Sequence, residues 1–270
     1  MDLTQQIILG IIQGVTEWIP ISSEGLLLFV NSNFFEPIEL NLFLRQALLL
    51  HLGTFFAALI YFRKEVLILT EGLFNYRYSD SETRRTLRFL FIATLISGVL
   101  GLAILNFIEI IQINEMPFTS ATVNIVVGFF LLVTGIFQLR ASNAGFRRAY
   151  HLKDSDSIFL GILQGFAVIP GLSRSGLTVS GLLFRKVNDT TALKLSFIMS
   201  LPIVLLGNVF LNFNSFIFIK EMFFALIVSF AFGLMTIHLL MEFSRKVKFG
   251  HFVIAFGLLV LAAGVFNIIF

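Results

Sequence analysis

The chain has 270 residues, of which 57% are hydrophobic, only 13% are charged and none is cysteine. A soluble domain would carry about 25% charged residues, so this composition predicts an integral membrane protein. The absence of cysteine excludes disulfides and thiolate metal sites. The basic residues that give the net charge of +3 lie in short segments between apolar runs, which favours a role in membrane topology over nucleic-acid binding.

The first apolar stretch, about residues 3–19, has a helical pattern and is interrupted at Pro20. The apolar segment that follows, residues 26–30, is too short to cross a bilayer, because a spanning helix needs about 20 residues. We therefore predict a re-entrant helix pair over about 3–31. Non-helical backbone at membrane depth is tolerated only where it is buried in protein or lines a wet cavity.

Three runs of spanning length follow, then a polar segment, a second broken pair and three more spans. The predicted spans are about 40–62, 87–110, 119–139, 190–212, 219–241 and 250–270, with the polar segment at 140–157 and the second pair at 158–186. The chain is thus one all-α membrane domain in which a re-entrant pair plus three spans occurs twice, over 1–140 and 141–270. An odd number of spans gives the two repeats opposite orientations, so we predict an inverted-topology repeat with six full spans and two re-entrant pairs.

Most basic residues fall on one side of this topology. They lie in the predicted loops 63–88 and 140–157 and at 185–194 and 245–248, whereas the predicted loops near 31–39 and 111–118 contain none. By the positive-inside rule the basic side is cytoplasmic. Both termini are then predicted to lie outside, the first re-entrant pair enters from the outside, and the second enters from the cytoplasm.

Each re-entrant pair is interrupted at a proline, Pro20 in the first and Pro170 in the second, and we call these two segments, 19–25 and 169–176, the breaks. The two breaks are similar in sequence but opposite in charge. The matching segments are LGIIQG at 9–14 with LGILQG at 160–165, and IPISSEG at 19–25 with IPGLSRSG at 169–176. The first copy contains Glu17 and Glu24, and the second contains Arg174. Because no acidic residue lies within ten positions of Arg174, its partner must come from elsewhere in the chain or be a ligand. We predict that Glu17 and Arg174 lie close together.

The first break carries groups that could perform acid–base chemistry. Gln13 and Glu17 are four residues apart, so they share a helix face, although Gln13 could simply bridge helices. A carboxylate in a membrane segment indicates a function, as a general base, a cation ligand or a counter-ion to an arginine. Ser22 and Ser23 follow the proline, where a hydroxyl could be a nucleophile or could cap the helix that begins near Glu24. Ser22 fits the cap better.

The second break has the composition of an anion site. A Gly/Ser-rich turn at a helix start presents free backbone N–H groups, and Arg174 adds a two-pronged donor that suits phosphate oxygens. The candidate phosphate-binding positions are Ser173, Ser175, Gly176 and Thr178. Each hydroxyl could instead cap or bond its own helix.

His51 lies inside the first predicted span, where it could assist the site or hydrogen-bond across helices. Taken together, the two breaks offer an acid, an arginine, several hydroxyls and two glycine turns within a membrane. Such a set suits a phosphate or pyrophosphate group carried on a lipid.

At these residues the chain resembles the undecaprenyl-pyrophosphate phosphatase family, also called the bacitracin-resistance family. One shared motif, [E/Q]-x-x-x-E followed by a proline and a serine pair, is present at 13–23, and the other, P-G-x-S-R-S-x-x-T, is present at 170–178. The resemblance extends over the whole length. It implies a phosphatase of the plasma membrane that removes the terminal phosphate of a polyprenyl pyrophosphate, recycles the lipid carrier for cell-wall or glycan assembly, and opens to the outer face.

The resemblance also implies roles for individual residues. Such enzymes depend on a divalent cation, Mg or Ca, and Glu17 with Gln13 would serve the acid–base or metal role. Ser23 would be the nucleophile, and Arg174 would clamp the pyrophosphate. The further substrate-binding positions would be Ser22, Ser173, Ser175, Gly176 and Thr178. A homodimer is a further expectation.

One position departs from the family pattern. The family commonly has Ser-Ser-x-Gly-His, whereas this chain has Leu26 at the histidine position. If that histidine is the base, this chain must use Glu17, Glu24 or His51 instead. Alternatively, the serine only binds phosphate and metal-bound water attacks.

The inverted repeat by itself would also fit a transporter or flippase of a phosphorylated polyprenyl lipid. Both functions need the arginine, but only the enzyme needs a positioned base and nucleophile. Release of phosphate from polyprenyl pyrophosphate by the purified protein in detergent therefore separates the two hypotheses.

Overall fold

The computed structural model describes residues 2–35, 40–113, 119–141, 145–212, 220–243 and 249–269. Within these residues the chain is helical, apart from connecting turns, one 3-10 turn and one isolated β-bridge. The helices are α1 (Leu3–Thr16), α2 (Ser23–Phe34), α3 (Leu40–Tyr61), α4 (Arg63–Phe74), α5 (Ser81–Ile113), α6 (Ser120–Arg140), α7 (Asp154–Phe166), α8 (Arg174–Phe184), α9 (Asp189–Asn212), α10 (Lys220–Phe243) and α11 (Phe249–Ile269). Six of these, α3, α5, α6, α9, α10 and α11, are long and apolar enough to cross a membrane. The all-α membrane fold with six spans is confirmed.

Four of the five shorter helices lie at the two breaks and form pairs, α1 with α2 and α7 with α8. They contain 14, 12, 13 and 11 residues. At 1.5 Å per residue the longest measures about 21 Å, which is less than the roughly 30 Å hydrocarbon core. Neither member of a pair can cross the bilayer alone. How each pair inserts into the membrane stays a prediction.

The two halves of the chain pack against each other reciprocally. Helix α1 packs against α10 of the second half, and its counterpart α7 packs against α5 of the first half. Further contacts cross the halves, among them those of α6 with α11, of α3 with α10 and of α3 with α9. This exchange is the packing expected of inverted repeats. The repeat boundaries themselves stay a prediction.

The two breaks touch. A Cβ atom added to Gly25 would lie 3.0 Å from the Cα of Gly171, and Gly171 has a φ of 98°, which side-chain-bearing residues rarely adopt. From α6, the amide Nε2 of Gln138 donates to the carbonyl of Pro20 at 2.6 Å. Two glycines at the point of contact therefore allow backbone from both halves to approach within van der Waals distance.

The interpretation of 63–88 as a loop was wrong. Helix α4 occupies its first half, because residues 63–71 are compatible with a helix and contain neither glycine nor proline. Helix α5 then starts earlier than expected, because Asp80 caps it by accepting from the backbone N–H groups of Glu82 and Thr83 at 2.8 and 2.9 Å. The segments 36–39, 114–118 and 244–248, which entered the topology argument, lie outside the described residues.

An ionic cluster joins the beginning of α7 to the end of α8 in the second broken pair. The buried carboxylate of Asp156, at the start of α7, accepts from Arg147 Nη2 at 2.6 Å, from Arg185 Nε at 2.5 Å and from the backbone N–H of Lys153 at 2.9 Å. Burial alone would raise the pKa of Asp156, but the hydrogen bonds from Arg147 and Arg185 outweigh it and hold the pKa below its usual range. The cluster joins the start of α7 to Arg185, the residue that follows α8. It therefore holds the two ends of the α7–α8 pair together, and the loop between the helices is anchored by them.

Candidate active site

The first break is shaped by an unusual backbone conformation at Ser22. Its φ of 66° is in the left-handed region, which costs a residue other than glycine about 1–3 kcal/mol and indicates a turn held by its surroundings. The Ser22 hydroxyl accepts from the backbone N–H of Gly25 at 3.2 Å, so Ser22 caps α2, as the sequence favoured. The turn places Ser23 over the end of α1, where its hydroxyl donates to Glu17 Oε2 at 2.9 Å.

The carboxylate of Glu17 is the centre of the site. Its Oε1 accepts from Arg174 Nη2, and the predicted proximity of these two residues is confirmed. Its Oε2 accepts from Gln13 Nε2 at 2.7 Å and from Ser23, and lies 3.2 Å from His51 Nε2. Only 3% of the Glu17 side chain is exposed. A buried charge with this many donors is compensated, and removing the carboxylate would leave the guanidinium of Arg174 without its charge partner.

Arg174 is the first residue of α8, and the Ser173 side chain caps that helix by accepting from the N–H of Gly176 at 3.1 Å. Besides Glu17, the guanidinium donates through Nη1 to the carbonyl of Ser196 at 3.3 Å. It also lies 5.8 Å from the ring centroid of Trp18, within the range of a cation–π contact. Arginine has five N–H donors, so these contacts leave donors for a ligand.

A cavity opens between the two breaks. Its volume is about 30 Å³, which is room for one or two water molecules. Its lining consists of Glu17, Ser22, Ser23, Glu24, His51, Ala167, Leu172, Ser173, Arg174 and Ser175. All but Ala167 and Leu172 are residues that the sequence singled out. The structure therefore brings both breaks and His51 into one site.

Three predicted site residues lie outside this lining. Gln13 lies behind Glu17, and Gly176 packs so closely that an added Cβ would lie 2.6 Å from the side chain of Gln138. The hydroxyl of Thr178 donates to the carbonyl of Arg174 at 2.8 Å and pairs with the hydroxyl of Ser196 at 2.6 Å. For Thr178, the alternative that its hydroxyl bonds its own helix is the one observed.

Several supporting residues had no signal in the sequence. Thr134, in α6, accepts from the N–H of Ser173 at 3.2 Å and donates to the carbonyl of Gly171 at 3.4 Å. Ser196, in α9, contacts the arginine. Both lie in membrane-spanning helices and belong to no motif that the sequence analysis identified. Trp18 could have been suspected, because it is the single tryptophan and follows Glu17 directly.

The cavity fits a divalent cation only in part. Glu17 already faces four side-chain donors, and Gln13 does not reach the cavity. Glu24 does line the cavity, and no donor among the described residues hydrogen-bonds to its carboxylate, although one oxygen lies 3.9 Å from His51 Nε2. Magnesium is often held by one or two carboxylates together with substrate phosphates. Glu24 fits that role better than the predicted ligand Gln13.

Residues 6–264 match the family model described as "Bacitracin resistance protein BacA". Three similar proteins are each named undecaprenyl-diphosphatase. The protein of Methanococcoides burtonii is 40% identical, over 96% of this chain and 97% of its own length. That of Methanothrix thermoacetophila is 34% identical, over 97% of each chain, and that of Saccharolobus solfataricus is 39% identical, over 74% of this chain and 69% of its own.

Proposed function

Because the chain belongs to the bacitracin resistance protein BacA family, we propose that it is a membrane phosphatase that hydrolyses undecaprenyl pyrophosphate, or a similar polyprenyl pyrophosphate, to the monophosphate and inorganic phosphate. The names of its relatives support the substrate class. The observation that carries the proposal is the hydrogen bond from Ser23 to Glu17 beside Arg174. A hydroxyl, its acceptor and an anion-binding cation thus meet in one buried cavity.

The pyrophosphate enters between the two breaks. The N–H groups of Arg174 that the protein leaves free bind phosphate oxygens. Ser173 and Ser175, whose hydroxyl oxygens lie 3.3 Å apart, also line the cavity. A cavity of about 30 Å³ cannot hold a pyrophosphate without widening. Substrate binding therefore includes a local separation of the two breaks.

The chemical step uses Ser23 as the nucleophile. Its Oγ forms a bond to the terminal phosphorus while Glu17 Oε2 accepts the hydroxyl proton. The bond between that phosphorus and the bridging oxygen breaks, and the polyprenyl monophosphate leaves. Water then hydrolyses the phosphoserine, which releases inorganic phosphate and restores the hydroxyl. Glu17, the residue that follows α1, thereby supplies the proton acceptor that position 26, a leucine here, cannot supply.

A divalent cation, Mg or Ca, would be held by Glu24 and the pyrophosphate oxygens. When bound, it would neutralise part of the negative charge on the pyrophosphate. The side chain of Glu24 is 23% exposed to solvent, so it can reach a cation that arrives with the substrate.

We also propose on which face of the membrane the site opens and what the product is used for. The site opens to the outer face of the plasma membrane, and the monophosphate product returns to carry further units of cell wall or glycan.

The orientation of the protein in the membrane is tested by single cysteines in this cysteine-free chain. A cysteine at Arg77 or Phe146, both exposed, should react only with a cytoplasmic reagent. A cysteine between 114 and 118 that reacted from that same side would contradict the orientation.

The activity is tested with purified protein in detergent, to which polyprenyl pyrophosphate and a divalent cation are added. We expect stoichiometric release of inorganic phosphate and formation of the monophosphate. A flippase would release none. Protein that binds the lipid but forms no phosphate would overturn the phosphatase and favour the transporter.

A further inference from the structure

His51 reaches the catalytic carboxylate from a separate helix. It lies in the middle of α3, whereas Glu17, Ser23 and Arg174 come from the two breaks. Its Nε2 is 3.2 Å from Glu17 Oε2, the same oxygen that accepts from Ser23. His51 is buried, with 9% of its side chain exposed, and it lines the cavity.

The ring of His51 is held in one orientation. Nδ1 lies 2.7 Å from the carbonyl of Ala47, and a carbonyl can only accept, so Nδ1 carries a hydrogen and donates it. The part of α3 that carries His51 is itself held by α10, because the hydroxyl of Ser229 donates to the carbonyl of Leu50 at 3.0 Å. A Cβ atom on Gly53 would lie 2.7 Å from a backbone oxygen of α10, so the two helices are in direct contact.

We infer that His51 is a positioning residue for the phosphatase reaction, which holds Oε2 of Glu17 in line with the hydroxyl of Ser23. The inference rests on the proposed function. Without His51, the hydrogen-bond partners of Oε2 among the described residues would be Gln13 and Ser23, and the carboxylate could rotate toward Arg174. In this chain α3 thus supplies the histidine that supports the active-site acid, while α2 carries Leu26 close to the nucleophile.

The first test compares His51→Ala with His51→Gln. We expect His51→Ala to lower kcat by about 10–100-fold, as losses of residues that orient an active-site ligand do, with little change in KM. Glutamine can still donate to Glu17, so His51→Gln should keep kcat within about tenfold of the wild type. His238→Ala, which removes an exposed histidine on α10, is the matched control and should leave kcat unchanged.

Each outcome of this test has a separate meaning. Wild-type protein that releases no phosphate defeats the proposed function. Active wild-type protein together with an unchanged His51→Ala defeats the positioning role alone. A folded His51→Gln that is as slow as His51→Ala, with the same thermal midpoint as the wild type, also contradicts it.

A second measurement does not depend on turnover. The chain has four histidines, so ¹⁵N-histidine labelling gives a short spectrum in which His51→Gln identifies the His51 signals. We expect a protected, low-field Nε2 proton that disappears in Glu17→Ala, which has no side-chain acceptor at position 17. If the wild-type His51 shows no such proton, or if the signal survives in Glu17→Ala, the contact with the carboxylate is absent and the inference falls.

Discussion

Glu17→Gln should lower kcat by about 10²–10⁴-fold, the range that a positioned general base contributes. Glutamine has nearly the same shape but cannot accept the proton of Ser23. It also leaves the guanidinium of Arg174 in a buried site without a charge partner. Phosphate release measured at saturating polyprenyl pyrophosphate gives kcat directly.

Two controls accompany this variant. Glu65→Gln removes a carboxylate that pairs with Lys194 away from the cavity, and it should stay within about threefold of the wild type. Leu26→His restores the residue common in the family, and it should change the rate little because His51 already contacts the carboxylate. A Glu17→Gln enzyme with more than a tenth of the wild-type rate would remove Glu17 from the chemistry, and a large gain in Leu26→His would mean that the wild-type site is incomplete.

Ser23→Ala should reduce kcat about as strongly as Glu17→Gln, because it deletes the nucleophile. The hydroxyl lies 2.9 Å from the carboxylate, at the start of α2, and alanine at this position is compatible with the helix. Ser22→Ala is the comparison, since it removes a hydroxyl that caps the helix but does not contact Glu17. Its main effect should be on stability, by about 1 kcal/mol.

The size of the Ser23→Ala loss distinguishes two routes of attack. A loss of only about tenfold corresponds to one hydrogen bond of 1–1.5 kcal/mol and would mean that water attacks while Ser23 binds a phosphate oxygen. A phosphoserine trapped by rapid acid quench in the wild type, and absent in Ser23→Ala, would establish the covalent route.

Much of the fold could be predicted because membrane spans are set by length and apolar composition. Six spans and two broken pairs follow from where the apolar runs exceed or fall short of about 20 residues. Helix α4 was missed for the same reason, since 12 residues that include charged side chains carry no spanning signal. Its helical state depends on local propensity, which hydropathy does not report.

The pairing of Glu17 with Arg174 could be predicted because unpaired charges are unfavourable in a membrane, and each break supplied a charge of one sign. The contact of His51 with Glu17 could not, since it depends on the rotation of α3 about its axis. The same holds for Ser196, whose carbonyl meets Arg174 because α9 packs against α8. Sequence spacing fixes which residues share a helix face, but not which face meets a neighbour.

The account depends most on one claim, that the two breaks form a single pyrophosphate site. A structure determined with a non-hydrolysable polyprenyl pyrophosphate analogue tests it most directly. We expect the terminal phosphate to accept from Arg174 and its phosphorus to lie about 3–3.5 Å from the Oγ of Ser23, which is the distance of a near-attack geometry. An analogue bound away from both residues, or an Arg174 separated from Glu17 with nothing between them, would contradict the account.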